Sequence, residues 1–343
     1  MKRAITWAIL ALSLAFVAGC KQEVPPAPAP SESLGAPVPP PAQPSPPAGK
    51  KLVFAVIPKA LSIPVFDYAR IGAERKAKEL GNVEIKWYAP QVADVLKQKE
   101  VLESFIAQKV DGIAISCLNG DYLTETIDKA VDAGIPVVTW DSDAPQSKRI
   151  AFYGVNDYQT GVIMGEETAK LLGGKGKVAI QTAFGADNHM QRLKGLKDTL
   201  AQSPGIKIIE TFDNKDDYMI ASQIVASSTQ RYPDLAAWIS TGGWLCFSTS
   251  ILDPVDPMKT KVISFDTIPP APLVMKAGKI QLMLGQKYFG WGSQPVQILY
   301  DYVTKGKKPA NPIVDSGVDV VTPANVDDYV AKWDKLMKGE ITQ

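Results

Sequence analysis

From Lys51 onward, short apolar runs rich in β-branched residues alternate with longer amphipathic segments. The apolar runs predict strands at 52–57, 83–89, 112–117, 136–140, 150–155, 177–183, 206–212, 235–241, 261–267 and 280–286. The amphipathic segments predict helices at 66–80, 94–108, 121–133, 158–172, 188–201, 217–231, 243–251, 269–277, 290–305 and 326–337. Continuously apolar strands that alternate with helices are typical of parallel sheets covered on both faces. The pattern therefore predicts two doubly wound α/β lobes.

The residues that follow the predicted strands are strongly polar. They are Asp141, Asn156, Asp157, Asp213, Asn214, Asp266 and Gln286. Ligands of doubly wound proteins bind where the loops converge at the carboxyl ends of the strands. Since both lobes have such polar strand ends, we expect a ligand cleft between them.

The N-terminus has the features of an export signal. Lys2 and Arg3 precede the apolar run AITWAILALSLAFVA, which is short for a membrane span but suits a signal peptide. The run ends in VAGC, which resembles a bacterial lipobox and predicts a signal peptide at 1–19 and lipidation of Cys20. A plain secretory signal with an unrelated cysteine is the alternative.

A proline-dominated segment follows, QEVPPAPAPSESLGAPVPPPAQPSPPAG at 22–49. It offers few side chains able to pack into a core, and it shows no helical or strand period. As an extended polyproline-type chain it would reach roughly 80–90 Å at ~3.1 Å per residue. We interpret 20–49 as a lipidated tether, with a ligand for a proline-recognising domain as the alternative.

Composition excludes several classes of function. The net charge is +1 and charged residues make up 21% of the chain, which is no excess for binding nucleic acid. The chain contains one histidine, His189, so a multi-histidine metal site cannot form. No metal or other cofactor is predicted. Cys117 and Cys246 lie in different predicted units and are expected to be buried free thiols.

The chain has few candidates for catalysis. His189, in GADNHMQRLKG, has no nucleophile elbow to serve and is expected to be a surface or loop residue at the cleft mouth. The GGKGK run at 173–177 lacks phosphate-loop spacing and predicts a helix end with a turn. A glycosidase using Asp141 and Asp266 is the remaining enzyme alternative. We expect no enzyme activity.

Carboxylates and amides that face a cleft suit a polyhydroxylated ligand. A carboxylate can accept hydrogen bonds from two adjacent hydroxyls, whereas arginine donates to ring and hydroxyl oxygens. Aromatic side chains can cover the apolar faces of a sugar ring. Candidates near strand ends or helix starts are Phe66, Trp244, Tyr288 and Trp291, each of which could also belong to the core.

Three segments carry a resemblance to a known family: AVIPKALSIPVFDYARIGAERKAKELG, VDGIAIS and DAGIPVVTWDSDAP. In collinear order over 51–310, the chain resembles the periplasmic sugar-binding proteins of ribose-binding type, the type I solute-binding proteins of ABC importers. The resemblance implies two Rossmann-like lobes joined by three crossovers, with a ligand cleft between them that closes by a hinge motion.

The resemblance also implies site residues. The sugar-binding Asp after the fourth strand matches Asp141, and the Arg of the second lobe's first helix matches Arg192. The family's second-lobe Asp and Gln match Asp266 and Gln286, and its first-loop aromatic matches Phe66. We add Asn156 and Trp244, from their positions at strand ends, to the predicted ligand-binding residues.

Several family positions differ in this chain. The Arg that usually follows the first Asp is Ser142, the third-strand Asn is Cys117 and a first-loop Asn is Ile63. The aromatic residue after the second strand of the second lobe aligns with Asp217. These differences leave the identity of the sugar open. Asp143, which has no family counterpart, is expected to cap the segment between the lobes.

The sequence therefore predicts an N-terminal lobe from 51–155 plus 288–310 and a C-terminal lobe from 156–287 plus 311–343. It predicts a substrate-binding lipoprotein of an ABC importer that captures a monosaccharide or similar polyol and delivers it to the permease. A binding protein for a nucleoside or furanose-like signal molecule is the alternative. The expected location is the periplasm or cell surface, with a lipid anchor in a bacterial membrane. A chemoreceptor or sensor kinase is a further candidate partner.

Overall fold

The computed structural model describes residues 49–342 and contains two six-stranded sheets. The strands are β1 (Leu52–Ile57), β2 (Val83–Trp87), β3 (Gly112–Ile115), β4 (Val137–Trp140), β5 (Ala151–Gly154), β6 (Lys175–Thr182), β7 (Gly205–Asp213), β8 (Leu235–Ser240), β9 (Lys261–Phe265), β10 (Leu282–Gly285), β11 (Ile313–Asp315) and β12 (Asp319–Val321). The helices are α1 (Val65–Leu80), α2 (Val95–Ala107), α3 (Gly120–Asp132), α4 (Asp157–Leu172), α5 (Asp187–Leu200), α6 (Tyr218–Arg231), α7 (Ala271–Lys276), α8 (Tyr288–Lys305) and α9 (Val326–Lys338). The predicted leader and almost all of the predicted tether lie outside the described residues.

The two sheets repeat one strand order. The first is ordered β11-β5-β4-β3-β1-β2 and the second β12-β10-β9-β8-β6-β7. All pairings are parallel except that between β10 and β12. The central strands are wholly buried, which explains their continuously apolar sequences. The predicted pair of doubly wound α/β lobes is confirmed.

The chain passes between the lobes three times, after β5, after β10 and after β11. The last crossing corrects one predicted boundary, because 311–343 was assigned entirely to the second lobe. Ile313 pairs with Phe152 of β5, so β11 belongs to the first sheet and only the chain beyond it enters the second. A strand of three residues is too short to produce a recognisable alternation.

Close helix packing holds α4 against α5. A Cβ on Gly161 would lie 2.0 Å from the carbonyl oxygen of Arg192, and one on Gly195 would lie 2.1 Å from the carbonyl oxygen of Tyr158. The two backbones touch at these glycines, so no larger residue fits without separating the helices. This contact fixes the position of Arg192 relative to the start of α4.

The predicted helix at 243–251 is wrong. The structure has only a short 3-10 helix there, Gly243–Leu245, followed by turns. Ser248, Thr249 and Ser250 follow in the segment, and hydroxyl side chains of this kind compete with helical hydrogen bonding. The turn buries Trp244 and Cys246.

Two smaller predictions are confirmed. Gly173 ends α4 in the left-handed conformation, with a φ of 62°, as expected for the glycine-rich run. Cys117 and Cys246 are both free and buried.

Helix α9 packs on an aromatic cluster near the crossovers. The ring of Trp333 lies 4.9 Å from that of Tyr68 and 5.8 Å from that of Phe289. Arg75 Nη1 donates to the carbonyl oxygen of Leu336 at 2.7 Å. The C-terminal helix is thereby fixed to α1 and α8 of the first lobe. Within residues 49–342, no helix is both long and apolar enough to cross a membrane.

Candidate ligand-binding site

A pocket with about 330 Å³ of empty space lies where the strand ends of the two lobes meet. The first lobe contributes Lys59, Ile63, Val65, Phe66 and Asp141, and the second contributes Asn188, His189, Arg192, Asp216, Gly242, Gly243, Trp244, Phe247, Asp266 and Gln286. Trp291, from α8, completes the lining. The site is therefore built from both lobes, as the polar strand ends predicted.

Asp141 is the central polar group of the first lobe. It follows β4 directly with a φ of 59°, and its backbone N–H donates to the carbonyl oxygen of Tyr153 at 3.0 Å. Its Oδ2 accepts from Ser116 Oγ at 2.7 Å and lies 3.3 Å from Lys59 Nζ. This carboxylate is almost completely buried and is held in a fixed orientation beside a cation.

Asp266 has the corresponding place in the second lobe. Its Oδ1 accepts hydrogen bonds from Gln286 Nε2 at 3.2 Å and from the hydroxyl of Tyr288 at 3.0 Å. Burial raises the pKa of this carboxyl to about 6, and nearby Arg192 partly offsets the rise. Tyr288, which was listed among the candidate aromatic residues, therefore serves the site by orienting Asp266.

Arg192 is held by partners on all three of its guanidinium nitrogens. Nε donates to Asp157 Oδ1 at 2.8 Å, and Nη1 donates to the carbonyl oxygen of Thr241 at 3.1 Å. Nη2 donates to Gln286 Oε1 at 3.3 Å, and the guanidinium lies 3.9 Å from the centre of the Phe265 ring. A guanidinium fixed in this way presents its donors to the pocket with little loss of side-chain entropy.

Asp157 supports Arg192 from the start of α4. Burial raises the pKa of its carboxyl to about 7, although the adjacent guanidinium of Arg192 opposes the rise. Asp157 does not line the pocket. Its effect on a ligand would be exerted through Arg192.

Direct contacts join the two lobes across the cleft. Lys59 Nζ donates to Asn188 Oδ1 at 2.9 Å. The backbone N–H of Gly120 donates to Asp187 Oδ2 at 2.6 Å, and Asn119 Nδ2 reaches Asp187 Oδ1 at 3.4 Å. The lobes thus approach each other closely at the start of α5.

His189, Trp244 and Asp216 form one wall of the second lobe's half of the pocket. The rings of His189 and Trp244 are 4.6 Å apart, and Trp244 Nε1 donates to Asp216 Oδ1 at 3.0 Å. Burial lowers the pKa of His189 well below its ordinary value, and the nearby Arg192 and Lys59 cations lower it further. The imidazole is therefore neutral at pH 7.

The apolar side of the pocket is formed by aromatic rings in edge-on and tilted contact. Phe66 packs edge-on against Trp140, with ring centres 5.5 Å apart, and lies 6.1 Å from Trp291. Trp140 is completely buried behind Phe66. These rings give the first lobe a rigid apolar surface next to the Asp141 carboxylate.

Six of the seven predicted ligand-binding residues line the pocket: Phe66, Asp141, Arg192, Trp244, Asp266 and Gln286. Their role in binding remains a prediction. Asn156 does not line it, because its side chain is exposed and caps α4, accepting from the N–H of Gln159 at 3.0 Å. Gln286 directly follows β10, whereas Asn156 is the second residue after β5, the corresponding strand of the first lobe. By that residue the chain has already turned into the helix.

Sequence reasoning missed three polar pocket residues: Lys59, Asn188 and Asp216. His189 lines the cleft, as expected, but it is a buried residue of α5 and not a surface or loop residue, since only 6% of it is exposed. Asn188 could have been found, because it precedes Arg192 by four residues and so shares its helical face. Lys59 lies in the loop after β1, where lysine normally points into solvent.

Asp143 has a structural role. Its Oδ1 accepts from Thr139 Oγ1 at 2.5 Å and from the N–H of Ala144 at 2.8 Å, and its Oδ2 accepts from Arg149 Nη2 at 2.5 Å. The side chain is absent from the pocket lining. Asp143 thus stabilises the loop between β4 and β5 of the first lobe, and not the segment between the lobes that it was expected to cap. Within the described part of the chain, no group of three or more His, Cys, Asp or Glu residues is arranged to hold a metal ion.

Comparison with known proteins agrees with this architecture. Residues 54–308 match the model of the periplasmic binding protein domain family. The chain belongs to this family. It is similar to a solute-binding protein of an ABC transporter from Burkholderia graminis, solved with D-arabinose, with a TM-score of 0.77 and 33% identity. That match covers 82% of this chain and 98% of the other.

Two further relatives extend the comparison. The chain is 26% identical to the ribose import binding protein of Bacillus subtilis over 69% of its own length and 72% of the relative's. It is 33% identical to a putative rhizopine-binding protein of Rhizobium meliloti over 43% of its own length, a match that spans only 52% of that relative. The periplasmic binding protein is therefore of the type I sugar-binding kind found in ABC transporters.

Proposed function

We propose that this periplasmic binding protein captures a monosaccharide or similar polyol between its lobes and delivers it to the permease of an ABC importer. One observation carries the proposal. A buried carboxylate from each lobe, Asp141 and Asp266, faces the same small pocket beside the fixed guanidinium of Arg192. The solute-binding relatives support the importer role.

The chemistry of the pocket fits adjacent hydroxyl groups. A carboxylate accepts from two vicinal hydroxyls, and Arg192 and Lys59 donate to oxygens that the carboxylates cannot serve. Phe66 provides an apolar surface for the C–H face of a ring. Each of these polar groups is buried, so a ligand that lacks matching hydroxyls would leave donors and acceptors unpaired at a cost of about 1–3 kcal/mol each.

The anchoring part of the proposal rests on the sequence. Lipidation of Cys20, followed by the proline-rich tether, would hold the binding lobes near a membrane-embedded permease. A Cys20→Ser variant should then leave the membrane fraction while keeping its ligand affinity. Retention of that variant in washed membranes would contradict lipid anchoring and leave the binding proposal intact.

The binding proposal is tested by thermal melting of the full chain in a detergent without a sugar headgroup. The ligands are pentoses, hexoses, inositols and nucleosides, each at millimolar concentration. Because a ligand of the native state stabilises by RT ln(1 + [L]/Kd), a micromolar ligand should add about 4 kcal/mol. A large shift with one sugar or inositol supports the proposal. A shift with nucleosides alone would instead support a nucleoside receptor, in which the adjacent His189 and Trp244 rings could contact the base.

A further inference from the structure

The charged side chains of the pocket are unbalanced. Two cations line it, Lys59 and Arg192, together with three carboxylates, Asp141, Asp216 and Asp266. Arg192 is already paired with a fourth carboxylate, Asp157, at 2.8 Å. Lys59 is bound to Asp141 and Asn188. If all four carboxylates are ionised, they therefore outnumber the cations by two.

Two of these carboxylates, Asp216 and Asp266, have no cation in contact. Asp266 accepts from both Gln286 and Tyr288, whereas Asp216 has fewer donors. The Asp216 side chain is only 6% exposed and, among the described residues, accepts a hydrogen bond from Trp244 Nε1 alone, so the acceptor capacity of a carboxylate is far from filled. Neither Lys59 nor Arg192 forms an ion pair with it. A left-handed backbone, with φ of 60° at Asp216, turns this side chain toward the pocket rather than into solvent.

His189 presents a second acceptor at the same place. Its Nδ1 lies 3.1 Å from the carbonyl oxygen of Thr241, and a carbonyl can only accept, so Nδ1 carries the proton of the neutral ring. Nε2 is then unprotonated and lies 3.9 Å from Asp216 Oδ1. The Asp216 carboxylate and His189 Nε2 are therefore two neighbouring acceptors, one of them anionic. A single ligand group that has more than one N–H or O–H could donate to both.

We propose that the natural ligand is a polyol bearing a protonated amine, an amino sugar or aminocyclitol, whose ammonium group is bound by Asp216 and His189. This inference rests on the proposed function and adds the charge of the ligand to it. An ammonium has three donors and one positive charge, which match the carboxylate and the imidazole nitrogen. Asp141, Arg192 and Asp266 remain available for hydroxyl groups.

The ionisation behaviour of the pocket is consistent with a missing cation. Burial raises the pKa of Asp216, and the Lys59 and Arg192 charges offset this only in part. Burial likewise raises the pKa of Asp266 to about 6. An ammonium placed among these groups would favour their ionised forms. Ligand binding should therefore release protons from the pocket.

The test compares each amino compound with its hydroxyl parent by isothermal titration calorimetry of the full chain. The pairs are D-glucosamine with D-glucose, D-galactosamine with D-galactose, and an aminodeoxy-inositol with myo-inositol. For at least one pair, the amino compound should bind at least about tenfold tighter, because a charge-assisted hydrogen bond to Asp216 is stronger than a neutral one. Asp216→Asn should remove this preference, so that the affinities of the amino compound and of its parent differ by less than about threefold.

Asp217→Asn is the matched control. Asp217 is the exposed neighbour of Asp216 and caps α6 by accepting from the N–H groups of Met219 and Ile220. Asparagine caps a helix as well as aspartate does, so this variant removes one nearby charge without disturbing the loop. It should keep the wild-type preference for the amino compound.

Three results would overturn the inference. If the hydroxyl parents bind as tightly as their amino derivatives, the pocket does not select an ammonium group. The proposed function would still stand. A preference that survives in Asp216→Asn would show that another group binds the amine. Absence of binding by every parent and every amino compound would overturn the proposed function together with this inference.

Discussion

Asp141 and Asp266 occupy the same position in their two lobes. Each follows the fourth strand of its sheet, β4 or β9, and each has a left-handed backbone with φ of 59° or 65°. Each backbone N–H donates to the next strand, from Asp141 to the carbonyl oxygen of Tyr153 and from Asp266 to that of Leu284. Aspartate tolerates this conformation better than most residues. The repeated fold thus places two carboxylates opposite each other in one cleft.

Loss of the first carboxylate should weaken binding strongly. Asp141→Ala removes a buried acceptor and leaves Lys59 without its ion-pair partner, so the affinity should fall by at least about 2 kcal/mol. Calorimetric titration with the best ligand of the panel measures this. Asp234→Ala is the control, because Asp234 is exposed and lies just before β8, at the end of the strand away from the pocket. Wild-type affinity in the Asp141→Ala variant would show that Asp141 does not bind the ligand.

Lys59 should connect ligand affinity to the contact between the lobes. Lys59→Met keeps most of the side-chain volume but deletes the ion pair with Asp141 and the 2.9 Å hydrogen bond to Asn188 in the other lobe. We expect an affinity loss of about 2–4 kcal/mol, because the buried Asp141 charge is left uncompensated. Lys51→Met, on an exposed lysine, should change the affinity by less than about 0.5 kcal/mol. Equal effects of the two variants would contradict this role.

The glycine contact between α4 and α5 should matter for both stability and binding. In Gly195→Ala, the new methyl would lie 2.1 Å from the carbonyl oxygen of Tyr158, so the helices must separate. Overpacking of this kind costs about 1–3 kcal/mol, and Arg192 on α5 should move with its helix. Gly185→Ala is the control, since nothing lies within 4 Å of a Cβ there. Chemical denaturation and titration measure the two losses. A stable Gly195→Ala variant with full affinity would contradict the close approach.

The buried Asp157 should give the ligand-free protein an unusual pH dependence. Its pKa is about 7 in the folded state against 3.8 ordinarily, so from about pH 4 to pH 7 the folded protein holds a proton that the unfolded chain releases. This group therefore makes the folded state less stable as the pH rises through that range. His189, whose pKa is lowered, acts in the opposite direction below its ordinary value of 6.5.

Comparison with Asp157→Asn separates these two effects, because His189 is present in both proteins. The melting temperature of the wild type should decrease relative to that of the variant between pH 5 and pH 8. A difference that is constant across this range would show that Asp157 does not titrate there. An increase would contradict the raised pKa.

The sequence predicted the parts of the site that the strand pattern controls. Asp141, Asp266 and Gln286 each follow an apolar strand directly, so their positions were readable from the chain. Asp216 lies three residues after the end of β7 and reaches the pocket through left-handed turns at itself and Lys215. Such a path depends on tertiary packing, which apolar periodicity does not encode.

The short elements show the same limit in the fold. Strands β11 and β12 have three residues each and are held by pairing with β5 and β10, not by their own sequence preference. Lys59 is likewise held by residues distant in sequence, Asp141 and, in the other lobe, Asn188. Contacts made between the lobes were therefore the least predictable part of the site.

The most direct test of the account is the affinity of the wild type and of Asp266→Asn for the best ligand from the panel, measured by titration calorimetry. The substitution keeps the size of the side chain and removes only the charge beside Arg192. The account predicts micromolar binding of a sugar, amino sugar or cyclitol by the wild type and at least about tenfold weaker binding by the variant. A wild type that binds no polyol, or a variant that binds with unchanged affinity, would contradict it.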